Sequence, residues 1–133
     1  MECPFCKIIE KNQEAYIIYE SENVIAFLDI DPINEGHILV VPKLHTASID
    51  NMPLHILNEI MELLQRIVPA LKEVYNLDGY SIMQNGGDFC DFGHGHFHIF
   101  PRYKNDGFGW KYPEGTFEYS NAVAEKIKLV LKK

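Results

Sequence analysis

No stretch of the chain approaches the ~20 consecutive apolar residues that a membrane-spanning helix needs, so no span is expected. The start, Met1-Glu2-Cys3-Pro4, has neither the basic nor the apolar region of a secretory signal, and the expected address is the cytoplasm. Cysteine is scarce and odd in number, three in 133 residues, which argues against a disulfide framework. Positive charge is short as well. Twelve Lys and Arg face nineteen Asp and Glu, and the net charge of −7 argues against broad binding to nucleic acid or an anionic membrane. A local cluster of donors is still compatible with a phosphate-bearing small molecule. Internal repeats, low-complexity tracts and linkers are also missing. With 47% hydrophobic and 23% charged residues, the composition is that of one ordinary globular domain over 1–133.

What is there reads as α+β. A short helical turn is expected at Cys3-Pro4-Phe5-Cys6, and β-rich runs follow at 16–20 and 23–29, arranged as a hairpin. Residues 31–36 form a loop by their Pro, Asn and Gly content. His37-Ile38-Leu39-Val40-Val41-Pro42 is almost wholly apolar, as a central strand would be. From Pro53 to Tyr75, Leu54, Leu57, Ile60, Met61, Leu64, Ile67, Val68 and Leu71 recur at helical spacing, and Pro69 should kink that helix. Its mixed polar face does not suit a membrane surface. A fourth strand is expected at 80–84 and a closing helix at 120–133. Consecutive strands with short links predict a five-stranded antiparallel sheet with one long helix and shorter ones.

The stretch Gly93-His94-Gly95-His96-Phe97-His98-Ile99-Phe100-Pro101-Arg102 holds three of the six histidines at every second position. Strand side chains alternate between faces, so His94, His96 and His98 would form one imidazole row while Phe97 and Ile99 point into a core. Pro101, lacking an N–H, is expected to end the ladder. A neutral imidazole serves as nucleophile, base or metal ligand, so the row fits either a metal site or an anion site with a histidine nucleophile. A solvated structural row is the plain alternative.

His94-Gly95-His96-Phe97-His98-Ile99-Phe100 resembles the signature of the histidine-triad (HIT) family. The likeness extends to Cys3-x-x-Cys6-Lys7-Ile8-Ile9, to Phe27-Leu28-Asp29-Ile30-Asp31-Pro32, to Gly36-His37-x-Leu39-x-x-Pro42-Lys43-x-His45 and to Phe100-Pro101-Arg102. It covers about residues 3–103 as a core and leaves 104–133 as a C-terminal extension.

The resemblance implies a homodimeric nucleotidyl hydrolase or transferase acting on a small purine nucleotide. The bond cleaved would be at the α-phosphate of a nucleoside phosphoramidate or a dinucleoside polyphosphate. Carried onto this chain, His96 would be the nucleophile of a nucleotidyl-histidine intermediate, and His98 would donate to the phosphate oxygens. No catalytic metal is expected. Asp29 would accept from the ribose hydroxyls, or simply be a turn residue. Phe27 would lie near the base, or in the core. Asn85 would reach the phosphate, or form an Asn-Gly turn. Cys3, Cys6, His45 and His94 would hold a structural zinc, as some family members do; a redox C-x-x-C is the rival. A non-catalytic nucleotide- or zinc-binding module is the alternative function. A metal hydrolase is the third reading, disfavoured because three ligands along one strand make a tight geometry.

The chain departs from the family pattern just before the triad. Cys90 and Asp91 stand where Gln and Ser or Thr are usual, and Gly95 replaces an apolar residue. That glycine suggests a close neighbour behind it. Cys90 is read as a buried small apolar residue, His37 as structural and His55 as exposed.

Overall fold

The computed structural model describes residues 3–131. Met1, Glu2, Lys132 and Lys133, and with them the very start of the leader reading and the last turn of the expected closing helix, lie outside the described residues. In chain order the elements are α1 (Pro4–Ile9), β1 (Ile17–Glu20), β2 (Val24–Leu28), β3 (Ile38–Pro42), α2 (Leu54–Val74), β4 (Gly79–Gln84), β5 (Phe97–Arg102) and α3 (Asn121–Leu131). Three single 3-10 turns punctuate the loops.

The strands form the predicted five-stranded antiparallel sheet, in the order β1-β2-β3-β5-β4. Its central strands read as continuous apolar runs because both faces are covered. Val24, Ala26, Ile38, Val40, Phe97 and Ile99 face α2. That helix answers with Ile56, Ile60, Leu63, Leu64, Ile67 and Leu71, the stripe that the helical periodicity marks out. On the opposite face, Ile25, Phe27, Leu39 and Val41 pack under Phe5 and Ile8 of α1. Pro69 lies inside α2 without ending it, on the exposed side.

Two expectations about the histidine stretch need correction. The regular strand begins at Phe97, not at His94. The Gly95 N–H donates to the carbonyl of Thr46 at 2.7 Å rather than to a neighbouring strand, so the ladder starts only after it. Nor does Pro101 end the strand, for it pairs with Tyr80 of β4. On its other side the β3 register stops at Ile38 opposite Ile99, and the Pro101 carbonyl accepts from Asn34 Nδ2 at 2.8 Å. In a strand a residue's N and O point the same way, so the missing N–H falls where β3 has already ended.

Gly95 earns its place by close approach. A Cβ there would overlap the Met52 methyl and press on the Thr46 carbonyl. The segment between β3 and α2 therefore packs directly behind the histidine row.

Candidate active site

Although only His98 lies within the regular strand, His94, His96 and His98 keep the two-residue alternation and form the expected row. The His96 and His98 ring centroids lie 4.9 Å apart, while the His94 ring stacks edge-on with His45 at 4.7 Å. The row shares a face with α1, and Phe5 presents an edge-on ring to His96 at 4.8 Å and to His94 at 5.8 Å. His94 and His96 are buried, and His98 keeps one side toward solvent.

Backbone partners decide the tautomers of the first two rings. His94 Nε2 lies 2.8 Å from the Pro42 carbonyl, which accepts only, so Nε2 carries the proton and Nδ1 is bare. That bare nitrogen faces Cys3 Sγ at 3.4 Å and Cys6 Sγ at 3.6 Å. His96 Nδ1 donates to the His94 carbonyl at 2.7 Å, which leaves the Nε2 lone pair of His96 free.

The first triad histidine thus turns away from the second and toward the N-terminal turn. Cys6 Sγ lies 3.2 Å from His45 Nδ1, and the ligand atoms of Cys3, Cys6, His45 and His94 all fall within 4.8 Å of one another. Two sulfurs and two imidazole nitrogens at that spacing suit a tetrahedral ion with bonds of ~2.0–2.3 Å. Burial, and after it the neighbouring Cys3, pushes the Cys6 thiol up to about 11. A bound cation would reverse that effect and hold both sulfurs as thiolates.

His98 Nδ1 lies 2.9 Å from Nε2 of His37, which is only 2% exposed. Burial, together with the His96 and His37 rings, holds His98 down to about 4, against a partial offset from Asp29 and Asp91. His98 is therefore a neutral ring at neutral pH. His37 is held below its ordinary value as well, by burial first.

Asp29 follows β2 and stands beside these two rings. Its Oδ2 is 3.4 Å from His37 Nε2 and 3.9 Å from His98 Nδ1, while Oδ1 accepts from the Asp31 N–H at 2.9 Å. Phe27 is buried against Phe5, 5.7 Å between centroids. Asn85 is exposed in the loop after β4. The β4–β5 ladder ends at Gln84 opposite Phe97, one residue before Asn85.

Cys90 is buried and its thiol is pushed up, chiefly by burial, which suits the apolar reading. Asp91 is exposed, on the turn whose carbonyl accepts the His94 N–H. Phe92 adopts a left-handed φ of 62° and sets its ring edge-on to Phe5 at 5.6 Å. His55 is exposed on α2 as expected. His37 is the site residue that sequence reasoning missed. Its only signal was the Gly36-His37 pair at the head of a central strand.

The family profile described as the HIT domain matches residues 10–105. An uncharacterized HIT-like protein of Methanocaldococcus jannaschii is 45% identical over 95% of this chain and 98% of its own. The adenosine 5'-monophosphoramidase HNT1 of Candida albicans is 33% identical, over 98% of this chain and 92% of its own. Among solved structures, a HIT family protein from Bacillus anthracis superposes with a TM-score of 0.86 at 33% identity, covering 98% of this chain and 94% of that one. A Zn-bound histidine triad family protein from Mycobacterium smegmatis gives 0.73 at 34% identity, over 85% and 84%. Motif, fold and relatives agree, and the chain belongs to the histidine-triad family.

Proposed function

We propose that this protein is a nucleotidyl hydrolase or transferase that cleaves purine nucleoside phosphoramidates through a nucleotidyl-His96 intermediate. The observation that carries the reading is the His96 Nδ1–H donated to the His94 carbonyl at 2.7 Å. It holds the ring neutral with Nε2 unprotonated, the state a nucleophile needs. Nε2 attacks the α-phosphorus and the bond to the leaving amine breaks, the amine taking its proton from solvent. Water then attacks the phosphorus, and the nucleoside monophosphate leaves His96. His98 donates to the phosphate oxygens as charge gathers. Asp29 receives the ribose hydroxyls, and Asn85 lies beside the phosphate.

A polyphosphate substrate fits less well than a phosphoramidate. Among the described residues, the charged groups that shift His98 are the carboxylates of Asp29 and Asp91, beside the rings of His96 and His37. Such a site offers neutral donors and negative charge, which suit a substrate with few negative charges.

Zinc held by Cys3, Cys6, His45 and His94 would fasten α1 to the sheet and take no part in the chemistry. That α1 otherwise rests on Phe5 and Ile8 supports a structural role. Exposed apolar side chains on the outer strand β4, Tyr80 and Ile82, lie beside Met61 and Val68 of α2 and support a homodimer across that edge. Sedimentation should report a dimer for wild type and a monomer for Ile82→Lys. Among the described residues no helix is long and apolar enough to cross a membrane. The free thiols support a reducing, cytoplasmic setting.

The test is hydrolysis of adenosine 5'-phosphoramidate by wild type and His96→Ala, with acid-quench trapping of the adduct. Loss of a covalent nucleophile should cost at least ~10³-fold in turnover. Near-wild-type hydrolysis by His96→Ala would sink the mechanism.

A further inference from the structure

The Asp106 carboxylate, with its side chain 6% exposed, joins the end of β5 to a loop residue 72 positions earlier, Asn34. Its Oδ2 accepts from Arg102 Nε at 2.7 Å, from the Tyr103 N–H at 3.1 Å and from Asn34 Nδ2 at 3.1 Å. Its Oδ1 accepts from Arg102 Nη2 and from the Phe108 N–H, each at 3.1 Å. The two-pronged pair with Arg102, a planar fork on a planar acceptor, fixes the orientation of the carboxylate as well as its place. Arg102 is held in turn by Ser81 Oγ at 3.0 Å and by the Phe108 carbonyl at 2.7 Å, with its guanidinium over the Phe108 ring. These partners, Arg102 first, keep Asp106 ionised well below the usual carboxylate range.

What this hub holds is Asn34. The second proton of Asn34 Nδ2 goes to the Pro101 carbonyl at 2.8 Å, so one amide makes two ties to the end of β5. Asn34 lies in the loop between β2 and β3, whose neck is closed by the Asp29 N–H on the His37 carbonyl at 2.9 Å. Within the loop the Asn34 carbonyl accepts the His37 N–H at 3.2 Å, and Asp29 Oδ1 accepts the Asp31 N–H at 2.9 Å. Asp29 is thus carried on a loop that the Asn34 amide ties to the sheet. A carboxylate grips a vicinal diol by charge-assisted hydrogen bonds, which are lost when its oxygens drift by about an ångström. We propose that Asn34 is a positioning residue for the ribose: tied to Pro101 and to the Asp106 carboxylate, it holds the 29–37 loop so that Asp29 meets the sugar hydroxyls. The proposal rests on the function proposed above. It adds that ribose selectivity is set through the segment that leads into the C-terminal extension.

The readout is a ratio: kcat/KM for adenosine 5'-phosphoramidate over that for 2',3'-dideoxyadenosine 5'-phosphoramidate. Both are measured on one sample, so the ratio is independent of how much of a variant is folded. A hydrogen bond to a charged group is worth about tenfold or more, so Asp29→Ala should lower the ratio by at least about tenfold. Asn34→Ala and Asp106→Ala should each lower it by about fivefold or more. In an Asp29→Ala chain neither should lower it further, because both act through Asp29. A role in packing alone slows both substrates alike and leaves the ratio unmoved. An unchanged ratio in Asn34→Ala therefore overturns the proposal, as does an Asn34→Ala loss that persists in the Asp29→Ala chain. A ratio that survives Asp29→Ala overturns it together with the ribose assignment, and leaves the His96 chemistry standing. Should wild type fail to cleave phosphoramidates at all, the function reading falls. Calorimetric affinities for adenosine and 2',3'-dideoxyadenosine 5'-monophosphate then decide the positioning role. Wild type should prefer the ribonucleotide and Asn34→Ala should lose most of that preference, while equal affinities in wild type overturn the proposal.

Discussion

The carbonyl oxygen of His94 accepts the Nδ1–H of His96 at 2.7 Å, while the His94 ring itself turns to the sulfurs of Cys3 and Cys6. One residue thus contacts two groups, its backbone the His96 ring and its side chain the sulfurs of Cys3 and Cys6. The division has a consequence for metal removal. The His94 backbone is held by its own N–H on the Asp91 carbonyl and by the Gly95 N–H on the Thr46 carbonyl, and the ring's Nε2–H donates to the Pro42 carbonyl, on the side of the ring away from the sulfurs.

Purified protein should carry one zinc per chain, and the Cys3→Ser/Cys6→Ser variant none. A ligand present at about a hundred times its dissociation constant adds about 2.7 kcal/mol to stability. Loss of zinc should therefore lower the unfolding free energy by about that much, read as a drop in urea midpoint, with turnover kept within several-fold. Zinc content equal to wild type in the double variant would refute the ligand assignment. Turnover abolished by a chelator would refute the structural role.

Stability should fall as pH falls from neutrality toward 4. His98 has an ordinary value of 6.5 and is held down to about 4 in the fold. Between those values the unfolded chain binds a proton that the native ring refuses, so each step down in pH favours unfolding. The full effect is on the order of 3 kcal/mol at pH 4 for this ring, less whatever its solvent-facing side screens. Burial acts in the same direction on His37 and His94. Denaturant titrations of the apoprotein at pH 7 and pH 4.5 should show the loss, and His98→Asn should reduce it. A slope identical in wild type and variant would remove His98 from the account.

Gly95→Ala should destabilise the fold by about 2 kcal/mol, the usual cost of forcing a methyl into a packed site. The added Cβ meets the flexible Met52 methyl and the fixed Thr46 carbonyl. Met52→Ala in the same chain should relieve part of the overlap, leaving the double variant less impaired than the two separate losses would sum to. Strict additivity in a double-mutant cycle would show that the two residues do not press on one another.

Much of this arrangement was legible before any coordinates. The apolar runs of β2 and β3, the stripe of α2 and the two-residue spacing of the histidines all reflect local periodicity, which sequence displays directly. So does the hint at Gly95, since a glycine inside a strand pattern signals a close neighbour. His37 was not legible for a physical reason. Its partner, His98, is 61 residues away, and the two meet only because β3 pairs β5 with Leu39 opposite His98. Strand order and register, not any property of the Gly-His pair, create the contact. The false end at Pro101 has the same origin, because the cost of a missing N–H depends on which neighbouring strand is present at that level.

The carboxylate before the triad should steer substrate choice. Asp91 is exposed, sits on the turn that delivers His94, and its charge acts on His98. A chain of phosphates leaving past it carries several negative charges toward a negative one, whereas a departing amine carries none or a positive one. Two charges a few ångströms apart near a protein surface interact by a few kcal/mol before screening, and by roughly 1 kcal/mol after it. Asp91→Asn should therefore raise kcat/KM for diadenosine polyphosphates by about fivefold relative to that for adenosine 5'-phosphoramidate, and Asp91→Lys by more. The gain should shrink as salt is added, because screening acts on the charge and not on the shape of the loop. A phosphoramidate preference unchanged in Asp91→Lys at low salt would assign the selectivity to something other than this carboxylate.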